Sequence, residues 1–270
     1  MALLNLLVAF NGTEASEAAL RYAASLAKQR GAHVTALLVH STHDTFDTTS
    51  RWIPREARNL LANAQQGIVL EIVEQFERLR PTLGLGDNLV LRTQSGRVDV
   101  VLSDTARSFD ILIVGRPMRG DDEHIVLHPD RITLLAGRPV IVVPEGYDVE
   151  ARHSHAALAW DGSRAAARAM SDSLRLLEQQ GKVSVLTIGP PVGSLDDLMA
   201  HLKLHDIETV HEAWPAGHSL VDCIVSYCKR HDPSLLVMGA YEHSKFREDF
   251  LGGHTAQILR EISIPILLSH

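Results

Sequence analysis

LLVAFNGTEASEAALRYAASLA (residues 6–27) and AALAWDGSRAAARAMSDSLRLL (residues 156–177) carry one pattern twice: an apolar run, a glycine turn, then apolar residues at helical spacing. In the first copy Ala19, Tyr22, Ala23 and Leu26 fall on one stripe. Gly12 and Gly162 stand 150 positions apart. Each is followed by a hydroxyl residue, Thr13 or Ser163, of the kind that closes a helix start by accepting from its first N–H groups. A repeat on this scale means two copies of one structural unit.

The rest of the chain follows the same repeat. HVTALLVH (33–40) answers VSVLTIG (183–189), and NLVLRT (88–93) answers ETVHEA (208–213). The segments RVDVVLSDTARSF (97–109) and HSLVDCIVSYCKRH (218–231) read as helices. FDILIVGR (109–116) and PSLLVMGA (233–240) are fully apolar strands that reach a glycine, Gly115 or Gly239. LLAGRPVIVVP (134–144) and LREISIPILLS (259–269) each end a helix, pass a proline and finish in a buried strand. Each half therefore alternates five strands with four helices, which implies an α/β fold with a parallel sheet and helices on both faces. The halves are assigned to residues 1–146 and 153–270, with the boundary near EGYDVEARHS (145–154). The first half is longer because residues 41–87 include a long helix opening at Pro54, with Leu61, Ile68, Ile72, Phe76 and Leu79 near helical spacing.

At 270 residues there is room for two units of about 130 residues, each able to bury a core. Hydrophobic residues make up 45% and charged residues 22%, as in globular proteins. MALLNLLVAF at the start has no basic leader and runs into Asn11-Gly12, so it reads as a buried strand rather than a secretion signal. No apolar run reaches the roughly 18 residues of a membrane span. A net charge of −7 and a pI near 6.1 leave no electrostatic footprint for DNA or RNA. Cys223 and Cys228, five positions apart, form neither a CxxC motif nor an evident disulfide. The expectation is a cytoplasmic protein without membrane or nucleic-acid partners.

The pattern resembles the universal stress protein family in its tandem form. ALAWDGSRAAARA (157–169) and VMGAYEHSKFREDFLGGHTAQILREISIPILLSH (237–270) carry the resemblance most specifically. It implies two open twisted sheets of strand order 3-2-1-4-5, related by a pseudo-twofold axis. It also implies a non-catalytic stress-response protein that binds an ATP-like adenine nucleotide, with Mg²⁺, in its second half or acts through protein contacts. Ligands of open α/β sheets sit at the carboxyl ends of strands where the strand order reverses, which here means strands 1 and 4. Because family members dimerise through the last strand, Val140–Val143 and Ile264–Leu268 are expected to pair with each other. A homodimer of the whole chain is compatible with the resemblance, with no surface or protein partner assigned.

ATP-binding members carry Gly, two residues, Gly, nine residues, Gly, then Ser or Thr. Gly239 and Gly252 match that motif; Glu242 stands at its second glycine, Gly253 at its hydroxyl position, and Thr255 two positions later. Gly252-Gly253 before His254, Thr255 and a helix suits a phosphate, because glycine lets backbone N–H groups approach an anion closely. Read blandly, the same pair is a helix-opening turn. Glu242 sets a carboxylate beside a polyphosphate, which weakens binding, while Lys245, Arg247 and His254 oppose that effect. Asp161, after strand 1 of the second half, suits either Mg²⁺ or a ribose hydroxyl, or is an ordinary helix-opening residue. The first half has Asn11 there, lacks the glycine pair and is acidic at Asp121, Asp122 and Glu123, so nucleotide is expected in the second half alone.

Fifteen histidines raise the question of metal. Asp197, His201 and His205 recur every four residues, and His201 and His205 are spaced to share a Zn²⁺. There is no HExxH motif, and the stretch reads as a solvated helix face with no metal expected. His153, His155 and His270 are expected to face solvent. No GxSxG elbow or Walker A loop occurs, so no catalytic residue is assigned. The alternative function is a slow Mg²⁺-dependent nucleotide hydrolase in the same crevice, with Asp161 or His254 orienting water.

Overall fold

Residues Asn5–Ala9 bury side chains on both faces of the strand, which is stable only inside a sheet covered on two sides. A computed structural model describes residues 3–40, 55–116, 129–147, 151–190, 195–240 and 253–270 and places that strand centrally in its half. The first half runs β1 (Asn5–Ala9), α1 (Glu14–Arg30), β2 (His33–His40), α2 (Arg55–Leu83), β3 (Leu89–Ser95), α3 (Val98–Ala106), β4 (Ile111–Gly115), α4 (Pro129–Ala136) and β5 (Val140–Val143). The second runs β6 (His153–Ala159), α5 (Arg164–Ser173), β7 (Leu177–Ile188), α6 (Leu195–Leu204), β8 (Glu208–Trp214), α7 (Leu220–His231), β9 (Leu235–Gly239), α8 (His254–Glu261) and β10 (Ile266–Ser269).

Each half has strand order 3-2-1-4-5, and the two join into one ten-stranded sheet, β3-β2-β1-β4-β5-β10-β9-β6-β7-β8. Every pairing is parallel except β5 with β10, where Val140, Ile141 and Val142 oppose Leu268, Leu267 and Ile266. The expected pairing of the two last strands is therefore present. Leu6 and Val8 belong to the core layer under α1, α2, α5 and α6, whereas Leu7 and Ala9 belong to the layer under α3, α4, α7 and α8. Equivalent helices thus share a face while the strands of the two halves run oppositely. The pseudo-twofold axis stands perpendicular to the sheet at the β5–β10 seam, and the strand carboxyl ends of the two halves face opposite ways.

Side chains staple the seam on both faces. The Arg116 guanidinium, just beyond β4, donates to the carbonyls of Leu259 (3.0 Å) and Ile262 (2.6 Å) at the end of α8. Arg30 donates to the Leu176 carbonyl at 2.9 Å, and Ala151 N–H donates to Ser25 Oγ at 3.0 Å.

Two details differ from expectation. β7 begins at Leu177, ahead of VSVLTIG, because Leu176 and Leu177 are buried and Leu177 pairs with His153. Along α2, Ile72, Phe76 and Leu79 are buried while Ile68 is 48% exposed, so the later part of that helix meets the core. The helix opening at Pro54 lies outside the described residues.

Candidate functional site

The crevice of the second half starts with the turn from β6 to α5. Gly162 has φ of 74°, and Gly12 in the equivalent turn has φ of 80°, a left-handed backbone that glycine adopts without steric cost. Asp161 Oδ1 accepts from Ser163 N–H at 3.0 Å, and Ser163 Oγ accepts from Ala166 N–H at 3.1 Å, which closes the start of α5. The first half repeats this: Asn11 Oδ1 accepts from Thr13 N–H at 3.3 Å, and Thr13 Oγ1 accepts from Ser16 N–H at 3.2 Å. Asp161 therefore has the helix-opening role in its turn whether or not it also meets a ligand.

Gly239 ends β9 against α5. A Cβ there would lie 2.6 Å from Ala166 N, too close for any other residue without displacing the helix. Gly115 does the same against the Ala15 carbonyl, so this close approach belongs to the fold in both halves. Beyond Gly239, Ala240 N–H donates to the Ser269 carbonyl at 2.9 Å, and His270 Nδ1 pairs with the Ala240 carbonyl at 3.0 Å. Ser269 Oγ donates to Asp172 at 2.9 Å. Burial raises the Asp172 carboxyl above the usual range, and that hydrogen bond and nearby arginines oppose the rise.

Thr13, Ser163 and Ser219 each cap a helix with a side-chain oxygen, whereas Gly253 opens α8, and Arg97 opens α3, with no side-chain cap; of these two openings only that of α8 is a glycine. The first intrahelical bond of α8 comes from Gln257 N–H to the Gly253 carbonyl, leaving the N–H groups of residues 254–256 as the donors a helix N-terminus offers to an anion. Gly253 and His254 are exposed, while Thr255 is buried, which turns its side chain away from solvent. Glu242 and Gly252 lie outside the described residues, as do Lys245 and Arg247.

Sequence reasoning passed over two features. Trp160, immediately before Asp161, packs on the core, and its indole nitrogen is buried with no hydrogen-bond partner among the described residues. Its counterpart Phe10 is fully buried and meets Phe76 of α2 edge to face, with ring centroids 5.7 Å apart. The signal was the aromatic residue at the same point of both repeats. Gln75, also on α2, donates to the Gly12 carbonyl at 2.9 Å and to Glu17 at 2.7 Å, so α2 covers the β1–α1 turn. The equivalent α6 is 10 residues long against 29 for α2.

The expectation that His153 faces solvent is overturned. It is fully buried, with Nε2 2.6 Å from the Tyr22 hydroxyl across the two halves, because β6 starts at His153 itself. His155 is half-buried and bonds Ser184 Oγ at 2.9 Å; only His270 of the three is exposed.

A doubly wound sheet with a helix start at a strand-order reversal defines a class of tandem α/β proteins with a crevice at that reversal. The universal stress protein family matches residues 4–144, and the chain belongs to that family. It is 25% identical over 301 aligned residues to a universal stress protein of Synechocystis, covering 97% of this chain and 98% of that protein. Among solved structures it resembles a universal stress protein from Archaeoglobus fulgidus, with a TM-score of 0.69, 14% identity, and 98% and 97% of the two chains covered. It also resembles a functionally unknown protein from Pseudomonas aeruginosa, with a TM-score of 0.55, 12% identity, and 99% and 92% covered. These structural likenesses support the fold. No described helix is long and apolar enough to cross a membrane.

Proposed function

We propose that this universal stress protein binds an adenine nucleotide of the ATP type at the carboxyl ends of β6 and β9 in its second half, without turning it over. The observation that carries this reading is the uncapped, exposed start of α8 at Gly253, on the same strand-order reversal as the β6–α5 turn. Nucleotide phosphates are the anions that a glycine-opened helix receives through backbone N–H groups and the helix dipole. Asp161 with Mg²⁺, Gly239, Gly252 and His254 would complete the site. In the first half, Gln75 and Phe76 already occupy the ground around Gly12 and Phe10, which supports a single site.

Gly253→Asp separates binding from folding. Among the described residues nothing lies within 4 Å of a Cβ at that position, and its φ of −73° suits any residue. An Asp there would cap α8 and stabilise it by about 0.3–1 kcal/mol, while its carboxylate would repel phosphate. Calorimetric titration with MgATP should show one site in the wild type and none in a Gly253→Asp protein that melts no lower. Removing the Glu242 charge in Glu242→Gly should tighten ATP about fivefold, for a like-charge contact of about 1 kcal/mol in water. Two equivalent sites, or no binding in either wild type or Glu242→Gly, would refute the proposal. Phosphate release with MgATP would instead favour the hydrolase.

A further inference from the structure

We propose that His201, on α6, and His205, in the turn that follows it, form a bidentate chelate for a divalent transition-metal ion. Their rings touch, with centroids 4.8 Å apart at an interplanar angle of 66°. Both residues are exposed, and neither ring has any other partner among the described residues. Two imidazoles one helical turn apart on one face can bring a nitrogen each to about 2.0–2.1 Å from one ion.

The backbone holds this pair in place. Leu198 and Leu202, each three positions before one of the histidines, are buried and anchor the adjoining stripe of α6 in the core. Past the helix end, His205 N–H donates to the Leu202 carbonyl at 3.0 Å and Asp206 N–H to the Lys203 carbonyl at 3.1 Å, so His205 sits in a tied-down turn. Asp206 then takes a left-handed φ of 57°, and Ile207 N–H returns to the Leu202 carbonyl at 3.2 Å. The metal would lie at the carboxyl end of a helix, where the backbone dipole favours a cation. Exposure, which makes this face a solvated one in the sequence, is what a chelate needs to load from solution.

The donor set fixes the class of ion. Neutral imidazole prefers Cu²⁺, Ni²⁺ and Zn²⁺, whereas Mg²⁺ and Ca²⁺ demand oxygen. No group of three or more His, Cys, Asp or Glu gathers for a metal among the described residues, so the protein supplies two ligands here and water completes the shell. Cu²⁺ should bind most tightly and Zn²⁺ less tightly than Cu²⁺.

The test is calorimetric titration of the untagged full-length chain with Ni²⁺ and Cu²⁺, with circular dichroism confirming the fold of each variant. His201→Gln and His205→Gln should each weaken the tightest site by at least about tenfold, since each removes the gain from a second, tethered ligand. The double substitution His205→Gln with Lys203→His keeps fifteen histidines but puts the pair on opposite sides of the helix, and it should bind as weakly as His205→Gln alone. Wild-type affinity in either single variant, or in the relocated pair, would overturn the proposal by placing the site elsewhere. A tightest site filled equally well by Mg²⁺ would overturn it too.

Discussion

His153 shows how one buried side chain ties pH to the junction of the halves. Burial pushes its imidazole down to about 4; the Ser234 backbone offsets part of this, and the Arg30 charge adds to it. Nδ1 completes no hydrogen bond of good geometry among the described residues. The folded state therefore favours neutral His153, while the unfolded chain titrates near the ordinary 6.5. The stabilisation is complete above pH 6.5 and is lost as pH falls from there through about 4, on the order of 3 kcal/mol in all. Urea unfolding at pH 7 and pH 4.5 should show that loss in the wild type. His153→Phe should start lower at pH 7, because Tyr22 loses its partner in a buried site, by about 1–3 kcal/mol. The same variant should lose less on acidification. An unchanged pH slope would show that His153 is not the group responsible.

Helix α2 is the element that separates the two halves. Phe76 is fully buried against Phe10, so Phe76→Ala should cost about 3–5 kcal/mol by chemical denaturation. The repeat made the strands and both glycine turns readable, since buried parallel strands are continuous apolar runs and the Gly12 and Gly162 turns each come with a capping hydroxyl. Other features were hidden because they depend on partners far away in sequence. Gln75 meets Gly12 from 63 positions away, and Arg116 reaches Leu259 across 143. Periodicity places a residue on a face but says nothing of which turn that face covers. His153 was misplaced for a related reason: a linker composition ran up to the first residue of β6. At the candidate site, Gly253 and the α8 opening were legible from the glycine pair, whereas the Asp161 hydrogen bond to Ser163 emerged only from the turn geometry.

At the scale of the molecule, both core layers run unbroken from one half to the other, so the halves should unfold together. Ile141 and Leu267 face each other at the centre of the antiparallel seam, and both are fully buried. Ile141→Ala removes packing from a first-half strand and should destabilise by about 2–5 kcal/mol, the range for truncating a buried aliphatic side chain. The chain has three tryptophans, and Trp160 and Trp214 belong to the second half, so a Trp52→Phe background gives a fluorescence signal from that half alone. If the sheet is one cooperative unit, Ile141→Ala shifts that second-half signal by the same free energy that circular dichroism reports for the whole chain. An unmoved tryptophan transition, with a separate earlier loss of helix, would show two halves that fold independently and merely abut at β5 and β10.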